Sequence, residues 1–200
     1  MAQGFLTAQV RGHVTEVTMR NAAKHNSFSA AMSTELVDAL REAQGAGSRA
    51  VILRAEPGVK VWSAGHDISE LPDGDQDPLA WTNTLAAMME DVAAFPLPLI
   101  AAVEGGVWGG ACELVMAADI VVAARSAYFY LPFVPALALV PDLGAAWYML
   151  HSIGLARTMA LSLLGDRLGA EQAAQWGLIW GCVDDTDLER STKENEDAIR

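Results

Sequence analysis

The sequence predicts an α/β protein, because short apolar runs typical of buried strands alternate with amphipathic stretches typical of helices. Residues 50–53, 98–103 and 119–124 are the apolar runs, and each has the length of a strand buried on both faces. Residues 29–43 place their apolar side chains on one helical face, and Ser29 is positioned to cap the first turn.

The elements around this core follow from turn residues and periodicity. Residues 8–18 alternate in part between apolar and polar side chains and predict a hairpin with Gly12 at its turn. Residues 56–78 are rich in glycine and proline and predict a loop. Residues 81–94 predict the helix that follows this loop.

Glycines also mark the later helices. Residues 109–118 predict the opening of a helix, and residues 154–164 and 170–176 predict two more, the second ended by Gly177. Residues 184–200 carry seven acidic and three basic side chains. This charge density predicts a solvated helix or a frayed tail.

The composition is that of a soluble globular protein, with 200 residues of which 52% are hydrophobic and 19% charged. The net charge of −12 argues against binding of nucleic acid, because phosphate recognition needs a basic surface. The longest uncharged stretch, residues 126–141, contains three prolines, which would break a membrane-spanning helix. We therefore expect neither a nucleic-acid partner nor a membrane.

The N-terminus lacks a basic region followed by an apolar run, so no signal peptide is expected. Cys112 and Cys182 are too few for a disulfide scaffold and predict buried thiols in a reducing compartment, the cytoplasm by default. The four histidines are scattered without the spacing of metal ligands, so no metal site is expected.

Two glycine-containing loops, residues 62–68 and 104–113, hold the candidate functional site. Glycines before a helix leave its first amide groups free, and the helix dipole adds partial positive charge there. Such a loop suits a phosphate, a carboxylate or a developing oxyanion. The alternative for the second loop is a tight turn that binds nothing, and Asp67 in the first is equally an ordinary helix cap.

These loops resemble those of the enoyl-CoA hydratase/isomerase, or crotonase, superfamily. The two main motifs are Ser-Ala-Gly-His-Asp at residues 63–67 and Gly-Gly-Ala-Cys-Glu at residues 109–113. Supporting motifs lie in order at residues 26–28, 118–120, 140–144, 164–167 and 173–179. The resemblance implies a crotonase-like (ClpP/crotonase) α/β fold of repeated β-β-α units. It also implies a core domain at residues 1–185, followed at 186–200 by an acidic tail or the start of a truncated C-terminal helical region.

By this resemblance, the backbone amides of His66 and Gly110 form an oxyanion hole for the thioester oxygen as it becomes an enolate oxygen. One such donor typically contributes about 3 to 4 kcal/mol of transition-state stabilisation. The implied ligand is an acyl-CoA thioester, with coenzyme A as part of the substrate and no separate cofactor. The residues expected to bind substrate and coenzyme A are Lys24, Lys60, Ala64, Asp67 and Trp108. Both lysines are also compatible with a purely solvated surface role.

Two carboxylates are the candidate acid–base groups. Glu113 matches one of the two glutamates that activate water in the hydratases, and its place on the first helical turn predicts that the dipole favours its charged form. The second hydratase glutamate follows a proline near Phe133, which is not a carboxylate. Asp142 matches the carboxylate of several enoyl-CoA isomerases, although Asp is also an ordinary turn residue. Double-bond isomerisation is therefore the leading hypothesis.

Aromatic side chains are expected to supply the apolar walls of the site, although such residues are more often plain core. The candidates are Trp81, Trp108, Phe129 and Phe133. Residues 124–185 resemble the ring-epoxide isomerase of phenylacetyl-CoA degradation.

Alternatives stay open. The first half resembles methylmalonyl-CoA decarboxylase, but that enzyme carries a tyrosine near the position of Asp142, which this sequence lacks. A non-catalytic acyl-CoA-binding remnant is a further possibility, because the family resemblance normally continues into C-terminal helices that cover the site and build a trimer. A homotrimer or hexamer is expected if those helices are present. A nucleotide-binding protein is disfavoured, since neither the P-loop nor the dinucleotide fingerprint is present.

Overall fold

The computed structural model describes residues 4–70 and 84–199. Within them the chain forms two sheets, one of six strands and one of four. The strands are β1 (Leu6–Arg11), β2 (Val14–Met19), β3 (Ala50–Ala55), β4 (Val61–Ser63), β5 (Leu99–Val103), β6 (Gly106–Trp108), β7 (Ile120–Ala124), β8 (Tyr128–Tyr130), β9 (Leu168–Gly169) and β10 (Gly181–Val183). The larger sheet has the order β1-β2-β3-β5-β7-β10 and the smaller has β4-β6-β8-β9.

The helices follow the strands in a regular pattern. They are α1 (Ala30–Gly45), α2 (Thr84–Ala93), α3 (Gly110–Ala117), α4 (Phe133–Leu137), α5 (Ala145–Ile153), α6 (Leu155–Leu164), α7 (Ala170–Trp176) and α8 (Leu188–Ile199). Short 3-10 turns lie at Ala22–Lys24, Ile68–Glu70 and Asp185–Asp187.

Three successive units each consist of two strands and a helix, with one strand in the larger sheet and the next strand in the smaller sheet. They are β3-β4-α2, β5-β6-α3 and β7-β8-α4. Within each sheet the strands of these units pair in parallel. This arrangement confirms the predicted α/β fold of repeated β-β-α units. The predicted N-terminal hairpin is also confirmed, since β1 and β2 pair antiparallel around Gly12, which has φ 64°.

The main core lies where helices pack against one face of the larger sheet. Met32, Leu36 and Leu40 of α1 are buried in it, at the spacing that predicted this helix. Ser29 caps α1, because its side chain accepts a hydrogen bond from the amide of Met32 at 3.2 Å. The cap and the apolar face thus both follow from the sequence.

The last helix, α8, packs on the larger sheet beside β5 and β7. Leu188 is buried with Val122 and Ala124, and Thr192 is also buried. Exposed residues of the helix form ion pairs, such as that between Lys193 and Glu189. The chain here is a helix with one buried side. The division into residues 1–185 and 186–200 stays a prediction.

Several short elements escaped sequence reasoning. Strands β4, β6 and β8 have three residues each, too few to show a period, and they exist because they pair with one another. Helices α4 and α5 were likewise not predicted. The predicted start of the second helix at residue 81 lies outside the described residues, which resume at Thr84. No helix in the described ranges is long and apolar enough to cross a membrane.

Candidate active site

The two glycine-containing loops meet because the strands before them are neighbours. Strand β4 pairs in parallel with β6, with Ser63 opposite Val107. Loops that leave the same ends of adjacent parallel strands emerge side by side. Residues 64–67 therefore lie against the start of α3.

Contact between the loops requires glycine at Gly65. Its φ is 80°, in the region that favours glycine, and a Cβ atom there would lie 2.6 Å from the Trp108 carbonyl oxygen and 2.7 Å from the Gly110 nitrogen. Gly109 is also constrained, with φ 52° and ψ −127°. The backbones of the two loops are thus in direct contact at Gly65, which a side chain there would prevent.

The backbone amides of His66 and Gly110 lie close together. Around His66, the Phe28 amide donates to the Gly65 carbonyl at 2.7 Å and the Asp67 amide donates to the Phe28 carbonyl at 3.0 Å. The His66 and Gly110 amides themselves donate to no residue in the described part of the chain. A Cβ atom built on Gly110 would lie 3.6 Å from the His66 nitrogen, so the two donors border one position. This geometry is compatible with the predicted oxyanion hole.

Glu113 lies on the first turn of α3 beside these amides. Its side chain is 0% exposed, and neither oxygen makes a hydrogen bond of ordinary length to a described residue. Burial, followed by the nearby Asp142 carboxyl, raises the pKa of Glu113 well above its usual range. Desolvation therefore opposes and outweighs the effect by which the helix dipole favours the charged form of Glu113.

Asp142 reaches the same place from the turn before α5. The turn is tight, with φ 46° at Leu143 and 95° at Gly144, and the Ala145 amide donates to the Asp142 carbonyl at 2.8 Å. The backbone of Asp142 is thus a turn residue while its side chain approaches Glu113. Burial raises the pKa of Asp142, against smaller opposing effects of backbone hydrogen bonding and His66. Two such carboxyl groups favour a pair with a single negative charge.

The imidazole of His66 is the third titratable group, and sequence reasoning gave it no role. Burial lowers the pKa of His66, opposed by the carboxylates of Glu70, Asp142 and Asp67. At neutral pH the ring is therefore mainly uncharged. The position of His66 in the motif could have identified it, because the residue whose amide is the predicted oxyanion donor also has its side chain near Asp142.

Of the aromatic residues predicted to line the site, Phe133 belongs to the main core and lies beside the second loop. This buried residue opens α4, and its ring lies 3.8 Å from where a Cβ atom of Gly109 would stand. Phe129 is buried in the main core, and Trp81 lies outside the described residues. Position 133, near which the hydratases have their second glutamate, is thus a phenylalanine. The second carboxyl group near Glu113 is that of Asp142.

The predicted coenzyme A residues are spread around the loops. Lys24 and Asp67 form an ion pair at 3.1 Å. Asp67 also accepts hydrogen bonds from the side chain and amide of Ser69, and these bonds, with Lys24, lower the pKa of Asp67. The ordinary capping role of Asp67 is thus realised, because Ser69 belongs to the Ile68–Glu70 turn.

The other predicted binding residues lie at the ends of β4 and β6: Lys60 precedes β4, Ala64 follows it, and Trp108 is the last residue of β6. The Ala64 amide donates to the His25 carbonyl at 2.8 Å, and the Trp108 indole donates to the Tyr128 hydroxyl at 3.1 Å. Lys60 is exposed at a cavity of about 410 Å³ that Tyr128 also lines, and no described residue forms an ion pair with it. These assignments stay predictions.

A larger cavity of about 490 Å³ opens beside Asp142, between α2 and α5. Trp147 and Tyr148 of α5 line it, and the Tyr148 ring packs 3.0 Å from where a Cβ atom of Gly144 would stand. The sequence has no tyrosine next to Asp142, yet the fold brings Tyr148 into the same cavity. Asp142 lies in the turn before α5 and Tyr148 lies within α5, and both line this cavity although they are not adjacent in sequence.

The cysteines play no part in this geometry. Cys112 is buried, its thiol donates to the Val107 carbonyl at 3.1 Å, and burial raises its pKa. Cys182 is only half-buried, in contrast to the prediction of two buried thiols. Among residues 4–70 and 84–199, no group of three or more His, Cys, Asp or Glu side chains is placed to hold a metal ion.

Comparison with known proteins agrees with this geometry. The family model described as enoyl-CoA hydratase/isomerase matches residues 9–198. A probable enoyl-CoA hydratase of Rhodobacter capsulatus is 35% identical over 177 residues, which cover 86% of this chain and 66% of that protein. The 1,2-epoxyphenylacetyl-CoA isomerase of Escherichia coli is 34% identical over 192 residues, 92% of this chain and 71% of the relative.

A solved structure of methylmalonyl-CoA decarboxylase in complex with 2-nitronate-propionyl-CoA superposes with a TM-score of 0.92. It is 30% identical, and the match covers 99% of this chain and 76% of that one. The chain spans about two thirds of the length of the first of these relatives. The resemblance inferred from the two loop motifs is confirmed.

Proposed function

The chain belongs to the enoyl-CoA hydratase/isomerase family, and on this premise we propose that it is an enzyme that binds an acyl-CoA thioester and stabilises the enolate of its acyl group. The observation that carries the proposal is the pair of His66 and Gly110 amides, which donate to no residue in the described part of the chain, beside the carboxyl groups of Glu113 and Asp142. Amides fixed by the backbone need no rearrangement as negative charge develops on the thioester oxygen.

The proposed reaction is the movement of a double bond in an enoyl-CoA. The Asp142 carboxylate removes a proton from carbon two, and the electron pair enters the conjugated system as the thioester oxygen becomes an enolate oxygen. A proton is then delivered to carbon four by Asp142 or by Glu113, and the carbonyl re-forms with the double bond shifted. A carboxylate of raised pKa suits the removal of this weakly acidic proton.

Isomerisation is favoured over hydration by Phe133. Addition of water uses a second carboxylate at this position in the hydratases that the chain resembles, and here a buried ring occupies it. The remaining carboxyl pair of Glu113 and Asp142 is suited to moving one proton rather than holding a water between two charges.

The test is turnover of 3-hexenoyl-CoA, followed by NMR and mass spectrometry. We expect a shifted double bond in the wild type and a loss of about 10²- to 10⁴-fold in kcat for Asp142→Asn. The wild-type rate should rise as Asp142 ionises and fall at higher pH as Glu113 loses its proton. In Glu113→Gln the fall of the rate at high pH should therefore disappear. Isomerase turnover that survives both substitutions unchanged would refute the assignment.

Decarboxylation of methylmalonyl-CoA or malonyl-CoA is the second candidate. It uses the same amides, with carbon dioxide leaving in place of a proton, and Tyr148 in the cavity beside Asp142 favours it. Loss of carbon dioxide from methylmalonyl-CoA, with 3-hexenoyl-CoA unchanged, would select this reaction. Binding of coenzyme A thioesters without turnover of either would indicate a non-catalytic binder.

We further propose that Lys24, Lys60, Ala64, Asp67 and Trp108 contact coenzyme A or the acyl thioester, and that the reaction needs no cofactor beyond the substrate. Coenzyme A carries phosphates, and the exposed ammonium groups of Lys24 and Lys60 suit them. The proposed setting is fatty acid metabolism in the cytoplasm, with assembly as a homotrimer or hexamer if further C-terminal helices are present. Light scattering on the protein tests the assembly.

A further inference from the structure

We infer that the cavity between α2 and α5 receives the far end of an acyl group that carries no negative charge, an inference that rests on the proposed function. The cavity has a volume of about 490 Å³, within the range of small-molecule sites. Asp142 lines it and also stands beside Glu113, so the cavity opens directly onto the candidate catalytic groups. An acyl chain held at the oxyanion hole would extend into it.

The walls of the cavity are mainly apolar and aromatic. Met89 of α2, Leu143 of the turn, and Trp147 and Tyr148 of α5 present carbon-rich surfaces. Trp147 is 61% exposed, and Tyr148 packs edge-on against it with ring centroids 5.2 Å apart. Such walls gain free energy by covering hydrocarbon, which favours an aliphatic or aromatic acyl group.

The charged groups of the cavity have a single sign. Glu90 of α2 and Asp142 line it, and none of the lining residues is a lysine, arginine or histidine. His66, which lies beside Asp142, has a pKa lowered by burial and is mainly uncharged at neutral pH. Residues 71–83 supply no cation in any placement, because their sequence has no Lys, Arg or His.

A carboxylate at the far end of the acyl group would therefore lose water and meet Glu90 and Asp142, and none of the described residues that line the cavity is a compensating cation. Like charges a few ångströms apart in partly desolvated surroundings repel strongly enough to weaken binding by about tenfold or more. A neutral acyl end escapes this repulsion. The cavity thus discriminates by charge as well as by shape.

The test compares hexanoyl-CoA with the mono-thioester adipoyl-CoA, which has the same chain length and a terminal carboxylate. We expect calorimetry to show that the wild type binds hexanoyl-CoA about tenfold more tightly or better. Glu90→Gln should reduce the ratio of the affinity for hexanoyl-CoA to the affinity for adipoyl-CoA by roughly threefold or more, because it removes one of the two repelling charges. Raising the salt concentration should narrow it as well.

Asp91→Asn is the matched control. Asp91 follows Glu90 on α2 and has the same charge, but it pairs with Arg41 at 3.2 Å and does not line the cavity. Its removal should leave the ratio unchanged. Both variants alter exposed helix positions, so circular dichroism should show the wild-type fold for each.

Other results of these binding measurements would distinguish failure of the inference from failure of the proposed function. Equal affinities for the two thioesters in the wild type would overturn the inference and leave the proposed function standing. A preference that Glu90→Gln does not reduce would overturn the assignment of selectivity to this cavity. Failure of both thioesters to bind would overturn the proposed function and the inference with it.

Discussion

A methyl group added at Gly65 tests whether contact between the two loops builds the site. In Gly65→Ala the new Cβ atom would lie 2.6 Å from the Trp108 carbonyl oxygen and 2.7 Å from the Gly110 nitrogen. Both are backbone atoms, which cannot swing aside as the end of a side chain can. The start of α3, with its Gly110 amide, must therefore shift away from His66.

The expected cost has two parts. The first is the positive φ of 80°, at which an L side chain costs about 1 to 2 kcal/mol. The second is overpacking against the backbone, about 1 to 3 kcal/mol. Gly65→Ala should then lower the free energy of unfolding by about 2 to 5 kcal/mol, and kcat should fall by about 10²- to 10³-fold if one oxyanion donor is displaced.

Gly47→Ala separates the two parts. Gly47 has nearly the same φ, 78°, but a Cβ atom there would meet nothing within 4 Å. This control should lose only about 1 to 2 kcal/mol and keep wild-type turnover. Urea unfolding measures the difference in stability between the variants, and turnover of 3-hexenoyl-CoA measures the site.

The reasoning fails if Gly65→Ala is no less stable than Gly47→Ala and turns over substrate at the wild-type rate. That result would mean that the loops tolerate a side chain between them. A stability loss with unchanged kcat would show that the contact is structural and that the Gly110 amide does not bind the enolate oxygen.

Three further outcomes are expected. The raised pKa of Glu113 means that the folded state holds this proton more tightly than the unfolded state does. The resulting stabilisation is fully present below the ordinary pKa of a glutamate and is lost as the pH rises through the raised pKa. Urea unfolding between about pH 4 and 9 should show a smaller loss of unfolding free energy for Glu113→Gln than for the wild type. Ser29→Ala should lower the free energy of unfolding by about 1 kcal/mol in thermal unfolding, because it removes the acceptor for the Met32 amide. Ser29→Thr keeps a hydroxyl acceptor and should retain most of this stabilisation. Lys60→Gln should raise KM roughly threefold for a coenzyme A thioester and leave KM for the pantetheine thioester of the same acyl group unchanged, an effect that a purely solvated lysine would not produce.

Local patterns in the sequence were enough for the longer elements and for the loops of the site. The apolar face and Ser29 cap of α1, and the uninterrupted apolar run of β5, are properties of neighbouring residues, and they predicted these elements close to their observed bounds. Glycines at Gly65 and Gly110 likewise identified both loops, because free amides and close backbone approach are local requirements.

Tertiary structure alone decided how these parts act together. The three-residue strands β4 and β6 exist because they pair within the smaller sheet, and the pairing of β4 with β6 sets the His66 amide beside Gly110. The cavity joins Asp142 and Tyr148 to Met89 and Glu90 of α2, which is a long-range contact that no periodicity reports. The raised pKa of Glu113 likewise depends on burial and on the approach of Asp142, which are properties of the packed interior and outweigh the helix dipole that the sequence does reveal.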